Sequence, residues 1–140
     1  MEAVEMSPEE ISTLLQRFAL DPWNTGDLTG LDDTTTEDYF LHGEPGQEAG
    51  RLSDLKDTIR TYRAAFPDLL MTVEETIAQE DRLAYRWTMR GTHQGEFDGI
   101  APTGGAVTFS GITIVHLQDG RISEDRYESS SPSTQQQLTT

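Results

Sequence analysis

The hydrophobic period of this chain changes at Pro67, and that change limits the available folds more than any other feature. Upstream of it, apolar residues recur at helical spacing. Ile11, Leu14, Leu15 and Phe18 form one stripe, and Leu55, Ile59, Tyr62 and Phe66 form a second. Downstream they alternate, as the side chains of a half-buried strand must. Leu69, Met71, Val73 and Ile77 share one face of a first strand, and Leu83, Tyr85, Trp87 and Met89 one face of a second. A third strand is expected from about Ala106 to Leu117 and a fourth from about Arg121 to Glu128. Helices first and hairpin-linked strands after them give an α+β order, not a βαβ order. The pattern predicts an α+β domain with a strongly curved antiparallel sheet wrapped around N-terminal helices to enclose an apolar pocket.

Local signals supply the boundaries. Ser7-Pro8-Glu9-Glu10 holds a cap, a first-turn proline and a capping-box glutamate, and Asp21-Pro22 is expected to end that helix. Trp23 to Asp27 reads as a turn, Leu28 to Asp33 as a short helix, and Tyr39 to His42 as a short extended piece. Gly43 to Gly50 reads as a polar loop, and a further helix runs from about Ser53 to just before Pro67. Glu80-Asp81 and Asp119-Gly120 mark tight hairpins. Residues 1–128 form a single domain on this reading, and the Ser-, Thr- and Gln-rich 129–140 a flexible C-terminal tail.

At 140 residues the chain fits one core. The formal net charge of −15 would repel phosphate backbones and anionic membranes, so neither nucleic acid nor a membrane is an expected partner. The absence of cysteine excludes disulfides, thiolate metal sites and cysteine nucleophiles. Three histidines without close helical spacing give no metal motif, and no phosphate loop or serine elbow is present. The first residues lack the basic and apolar regions of a signal peptide, which points to a cytoplasmic location.

The segment Arg86-Trp87-Thr88-Met89-Arg90-Gly91-Thr92-His93-Gln94-Gly95-Glu96-Phe97, continuing through Gly99-Ile100-Ala101-Pro102-Thr103-Gly104, resembles the middle of the SnoaL-like polyketide cyclases and the ester cyclases grouped with them. Phe109-Ser110-Gly111-Ile112 and Asp119-Gly120-Arg121-Ile122-Ser123-Glu124 resemble that family's closing hairpin. Trp23-Asn24-Thr25-Gly26-Asp27 and Asp38-Tyr39 with His42 match its early pattern. The resemblance spans roughly residues 8–128. It implies the cone-shaped fold shared with nuclear transport factor two and scytalone dehydratase. It also implies a homodimer across the open sheet face, a small hydrophobic polyketide-like substrate, and acid/base chemistry in secondary metabolism without a cofactor. The family's aldol cyclases carry an acid/base aspartate three residues beyond the glutamate of the hairpin, a position held here by Tyr127. The histidine that accompanies the aspartate falls near Thr113. Both of the side chains that carry out aldol closure are therefore replaced.

Parity along the strands then selects the candidates. With Tyr127 inward, Asp125 shares its face and Glu124 points away, which makes Asp125 the expected proton-transfer group. The competing reading of Asp125 is an exposed strand-end carboxylate. His93 shares the face of Trp87 and Met89 if no bulge intervenes at Gly91. His93, His42 and Tyr127 are candidates to orient the substrate or to donate to a developing oxyanion, although either histidine could equally be a hydrogen-bonded loop residue. Trp23, Tyr39, Tyr85, Trp87, Met89, Phe97, Phe109 and Thr113 are expected as substrate-binding walls, with ordinary core as the alternative for each. Together they suit a flat polycyclic or aromatic molecule. Cyclisation or isomerisation is the leading expectation. Epoxide opening by water or an internal hydroxyl, a hydroxylase-type relative, and a non-catalytic binding dimer stay open beside it.

Overall fold

A computed structural model describes residues 6–42, 50–129 and 134–139, so all of the expected Gly43–Gly50 loop except Gly50 lies outside the described residues. The elements are α1 (Pro8–Leu15), α2 (Asp21–Thr25), α3 (Thr29–Thr34), β1 (Thr35–His42), α4 (Leu52–Ala65), β2 (Leu70–Gln79), β3 (Arg82–Thr92), β4 (Ala106–Gln118), β5 (Arg121–Ser129) and α5 (Thr134–Thr139). A mixed α+β fold with N-terminal helices and a curved sheet is what the change of period predicts.

The capping box forms as read. Ser7 Oγ accepts from the Glu10 N–H at 3.1 Å, and the Glu10 carboxylate accepts from the Ser7 N–H at 3.0 Å. Asp21-Pro22 does not stop the chain's helical course, however. The turn Gln16–Leu20 widens so that the Asp21 N–H reaches back to the Gln16 carbonyl, and α2 follows directly. Pro22 sits in the first turn of α2, where no N–H is needed. The expected Trp23–Asp27 turn is therefore mostly helix, and Gly26 ends it at φ 80°. One consequence is structural: the Asn24 side-chain amide bonds both the N–H (2.6 Å) and the C=O (3.1 Å) of Met71, tying α2 to the edge strand β2.

The sheet has five strands in the order β1-β5-β4-β3-β2 and does not close. β2 to β5 form the predicted antiparallel meander, while β1 adds in parallel to β5. Its inner face packs on the helices through Leu14, Leu15, Phe18, Leu31, Ile59, Phe66, Leu83, Val107, Val115 and Ile122, all buried. Two irregularities alter the strict alternation. In β2 the register shifts between Val73 and Glu75, which places Ile77 opposite Ala84 on the outer face, 66% exposed. In β5 an extra residue, Ser123, separates the pairs Leu117–Ile122 and His116–Glu124. That bulge lets both Ile122 and Asp125 face inward.

The C-terminal residues also depart from the expected tail. Residues 134–139 form α5, where the Gln137 amide bonds the Thr108 N–H at 2.9 Å and C=O at 2.7 Å. Among the described residues β5 pairs with β4 as far as Gly111, and beyond that point Gln137 bonds both backbone groups of Thr108.

Candidate functional site

Asp125 lies on the inner face of β5, opposite Val115 of β4 and Leu41 of β1, and is 5% exposed. The Tyr39 phenol of β1 donates to its Oδ2 at 2.8 Å. Its Oδ1 is buried and has no hydrogen-bond partner among the described residues. Burial pushes the carboxyl up to about 6, and the Tyr39 hydrogen bond opposes that rise only in part. Burial and then the neighbouring Asp125 charge hold both Tyr39 and Tyr85 above the usual phenol range. Both therefore stay protonated at neutral pH and remain donors.

The next row across the sheet is polar as well. Tyr85, Thr113 and Tyr127 are register partners on β3, β4 and β5. Trp87 Nε1 donates to Thr113 Oγ1 at 2.9 Å, and Thr113 also hydrogen-bonds Tyr85. Room for the Trp87 ring exists because position 111 is glycine. A Cβ there would meet the ring at 2.6 Å and the Glu128 carbonyl oxygen at 2.5 Å.

Aromatic side chains complete the interior. Tyr62 of α4, which helical spacing alone places only in an apolar stripe, stands at its centre. Its ring lies 5.9 Å from Trp23, 5.1 Å from Phe97 and 5.9 Å from Phe109, while Phe109 meets Trp87 edge-on at 6.2 Å. Met89 is buried opposite Phe109. Trp23, Tyr62, Phe97 and Phe109 are only partly buried, unlike the core beneath them.

The histidines separate from this centre. No bulge intervenes at Gly91, and His93 is fully buried on the inner side, packed 5.6 Å from the Phe66 ring. Its Nδ1 accepts from the Thr103 N–H at 3.1 Å, so a neutral ring carries its proton on Nε2, which is buried without a hydrogen-bond partner among the described residues. It lies eight residues along from Tyr85, about 25 Å of extended strand. The structure thus does not bring His93 to Asp125. Nor does it bring His42 there. With Tyr39 inward, alternation along β1 places His42 outside, where its Nε2 is 3.8 Å from Glu124 Oε2 and its Nδ1 is 3.4 Å from Arg126. His116 meets the same Glu124 oxygen at 3.8 Å. Among the described residues no group of three His, Asp or Glu side chains is arranged to hold a metal ion.

A curved sheet over helices, with a buried carboxyl and tyrosines on its concave side, defines a cone-type α+β protein. Residues 13–138 match the model of the SnoaL-like polyketide cyclase family, and the chain belongs to that family. Among solved structures, AclR of Streptomyces galilaeus, named as a candidate hydroxylase, is 30% identical at a TM-score of 0.81, over 94% of this chain and 81% of that one. IdmH of Streptomyces antibioticus, named as a candidate polyketide cyclase, is 27% identical at a TM-score of 0.77, over 92% and 98%. A protein of Catenulispora acidiphila with a ketosteroid isomerase-like fold shares the fold at 12% identity and a TM-score of 0.71, over 96% and 95%. No curated protein sequence matches the chain.

Proposed function

We propose that this protein is a cyclase or isomerase of a small, hydrophobic, polyketide-like substrate, with Asp125 as its proton-transfer group and no cofactor in the reaction. The observation that carries the reading is the buried Asp125 carboxyl, raised to about 6, with one oxygen left without a partner. Such a group is ionised at neutral pH yet close enough to neutrality to return a proton, which is the condition for general acid/base work. Tyr85 and Tyr127 stand in the adjacent row, in reach of a carbonyl oxygen whose charge grows as Asp125 removes a neighbouring proton. The partly buried aromatic group around Tyr62 would hold a flat substrate. A hydroxylation-type reaction is the second reading, favoured by the likeness to AclR.

The outer sheet face supports a homodimer. Ile112 and Ile114 are 49% and 40% exposed there and lie beside Arg86, Arg126 and Glu128, giving an apolar strip with charged neighbours of both signs.

Proton exchange tests the enzymatic reading without the natural substrate. In D2O the protein should accelerate exchange of the hydrogens next to the carbonyl of 2-acetylnaphthalene, followed by NMR. Asp125→Asn should reduce that rate by roughly 10²–10⁴-fold. Exchange that is absent in the native protein, or undiminished in the variant, contradicts the proposal.

A further inference from the structure

The carboxyl of Asp125 is held from one side only. Tyr39 donates to Oδ2 at 2.8 Å, while Oδ1 is buried with no hydrogen-bond partner among the described residues. The Tyr39 ring is itself fixed, 2% exposed and meeting Phe18 edge-on at 6.3 Å. Of the other polar groups on this face, Thr113 is engaged by Trp87 at 2.9 Å and by Tyr85. The titratable groups facing Asp125 are Tyr39 from β1 and Tyr85 from β3, while β4 offers Val115 and Thr113, which carry no charge. On β5 itself Tyr127 shares the face. On α3, which packs against β5, the charges of Asp32 and Asp33 are exposed and paired with Lys56 and Arg17.

We propose that Tyr39 is a positioning residue for Asp125, occupying Oδ2 so that Oδ1 alone exchanges the proton with the substrate. This rests on the acid/base reading above and adds a division of labour between the two carboxyl oxygens. A buried carboxylate with no donor would be free to turn and would favour its protonated form. One donated hydrogen bond opposes both. It fixes the rotamer, and it holds the group at a point where it is ionised at neutral pH. The proton leaves the substrate for Oδ1 and returns from Oδ1 to the product, while Tyr39 keeps its own proton throughout.

The test is the titration midpoint of Asp125 itself, read by NMR on the full chain labelled with ¹³C at the aspartate carboxyls and assigned by the signal lost in Asp125→Asn. The native midpoint is expected at about 6. Tyr39→Phe keeps the ring and removes the donor, so the midpoint should rise by about one unit or more, the size of a hydrogen bond to a charged group. Replacing Tyr39 with 3-fluorotyrosine keeps the hydroxyl, strengthens it as a donor, and should lower the midpoint below the native value. A midpoint unchanged in Tyr39→Phe overturns the proposal, because a space-filling role for the ring would leave it unchanged. Should that variant fail to fold, the fluorotyrosine protein decides: a fall supports the proposal, and no movement overturns it. The two readings fail separately. Loss of proton exchange in Asp125→Asn with an unmoved midpoint in Tyr39→Phe removes the positioning role alone. A shifted midpoint in a protein that catalyses no exchange removes the enzymatic reading alone.

Discussion

Replacing Asp125 by asparagine should make the protein more stable at alkaline pH while removing its chemistry. Burial pushes the carboxyl of the folded chain up to about 6 from an ordinary value of 3.8. The native state therefore binds this proton more tightly than the unfolded chain does. Its contribution is fully present below about pH 3.8, declines between about 3.8 and 6, and is lost above that window. A difference of about two units at 1.36 kcal/mol each means that ionised Asp125 destabilises the fold by about 3 kcal/mol at pH 8. Asparagine carries no charge at any pH and keeps an oxygen for the Tyr39 hydroxyl, but its amide N–H groups need acceptors. The net gain at pH 8 should be about 1–3 kcal/mol, diminishing to nothing or reversing near pH 4. Urea denaturation of both proteins from pH 4 to pH 8 measures this. The difference between them isolates residue 125, since repulsion among the other acidic residues is common to both. A flat difference across the range, or a variant less stable than native at pH 8, refutes the reasoning.

Three further outcomes are expected. Gly111→Ala drives a Cβ into the Glu128 carbonyl and the Trp87 ring, and should lower stability by about 1–3 kcal/mol in thermal denaturation with a change in tryptophan fluorescence; an unchanged melting curve would mean that the two strands can part at no cost. Ile114→Arg on the outer face should convert a dimer to a monomer in sedimentation at micromolar concentration, whereas a native protein that already sediments as a monomer disposes of the interface. Truncation after Ser129 removes the Gln137 amide from Thr108 and should lower stability by about 1 kcal/mol. A truncated chain as stable as the full one restores the reading of 129–140 as a tail.

Much of the fold could be read along the chain because its signals are local. The Ser7–Glu10 capping box, the helical stripe of α4 and the two hairpin turns each lie within a few residues of what they specify. β1 was less legible, since its short, mixed sequence shows neither its full length nor its parallel partner. Bulges escape a period-2 reading altogether. From Ile122, strict alternation puts Glu124 inside; only the extra residue Ser123 brings Asp125 in, and the family position of Tyr127 was what pointed to it. His42 is a different case. Tyr39 and His42 are three residues apart, so alternation alone sets them on opposite faces, and that signal was available. The Tyr39–Asp125 contact joins residues 86 positions apart, and nothing in either neighbourhood announces it. Asn24 and Gln137 are legible only once the sheet is known, because each amide bonds the backbone of a strand distant in sequence.

The central claim is that Asp125, and not the tyrosine that holds the family's aspartate position, moves the proton. The most direct measurement is the pH dependence of enzyme-catalysed proton exchange in the native protein, Asp125→Asn and Tyr127→Phe. The native rate should rise with pH through a single midpoint near 6, the value set by burial of Asp125. Asp125→Asn should lose both the rate and the midpoint, and Tyr127→Phe should keep the midpoint while lowering the rate by no more than about 10²–10³-fold, the loss of one oxyanion donor. A midpoint that survives in Asp125→Asn and vanishes in Tyr127→Phe would contradict the account.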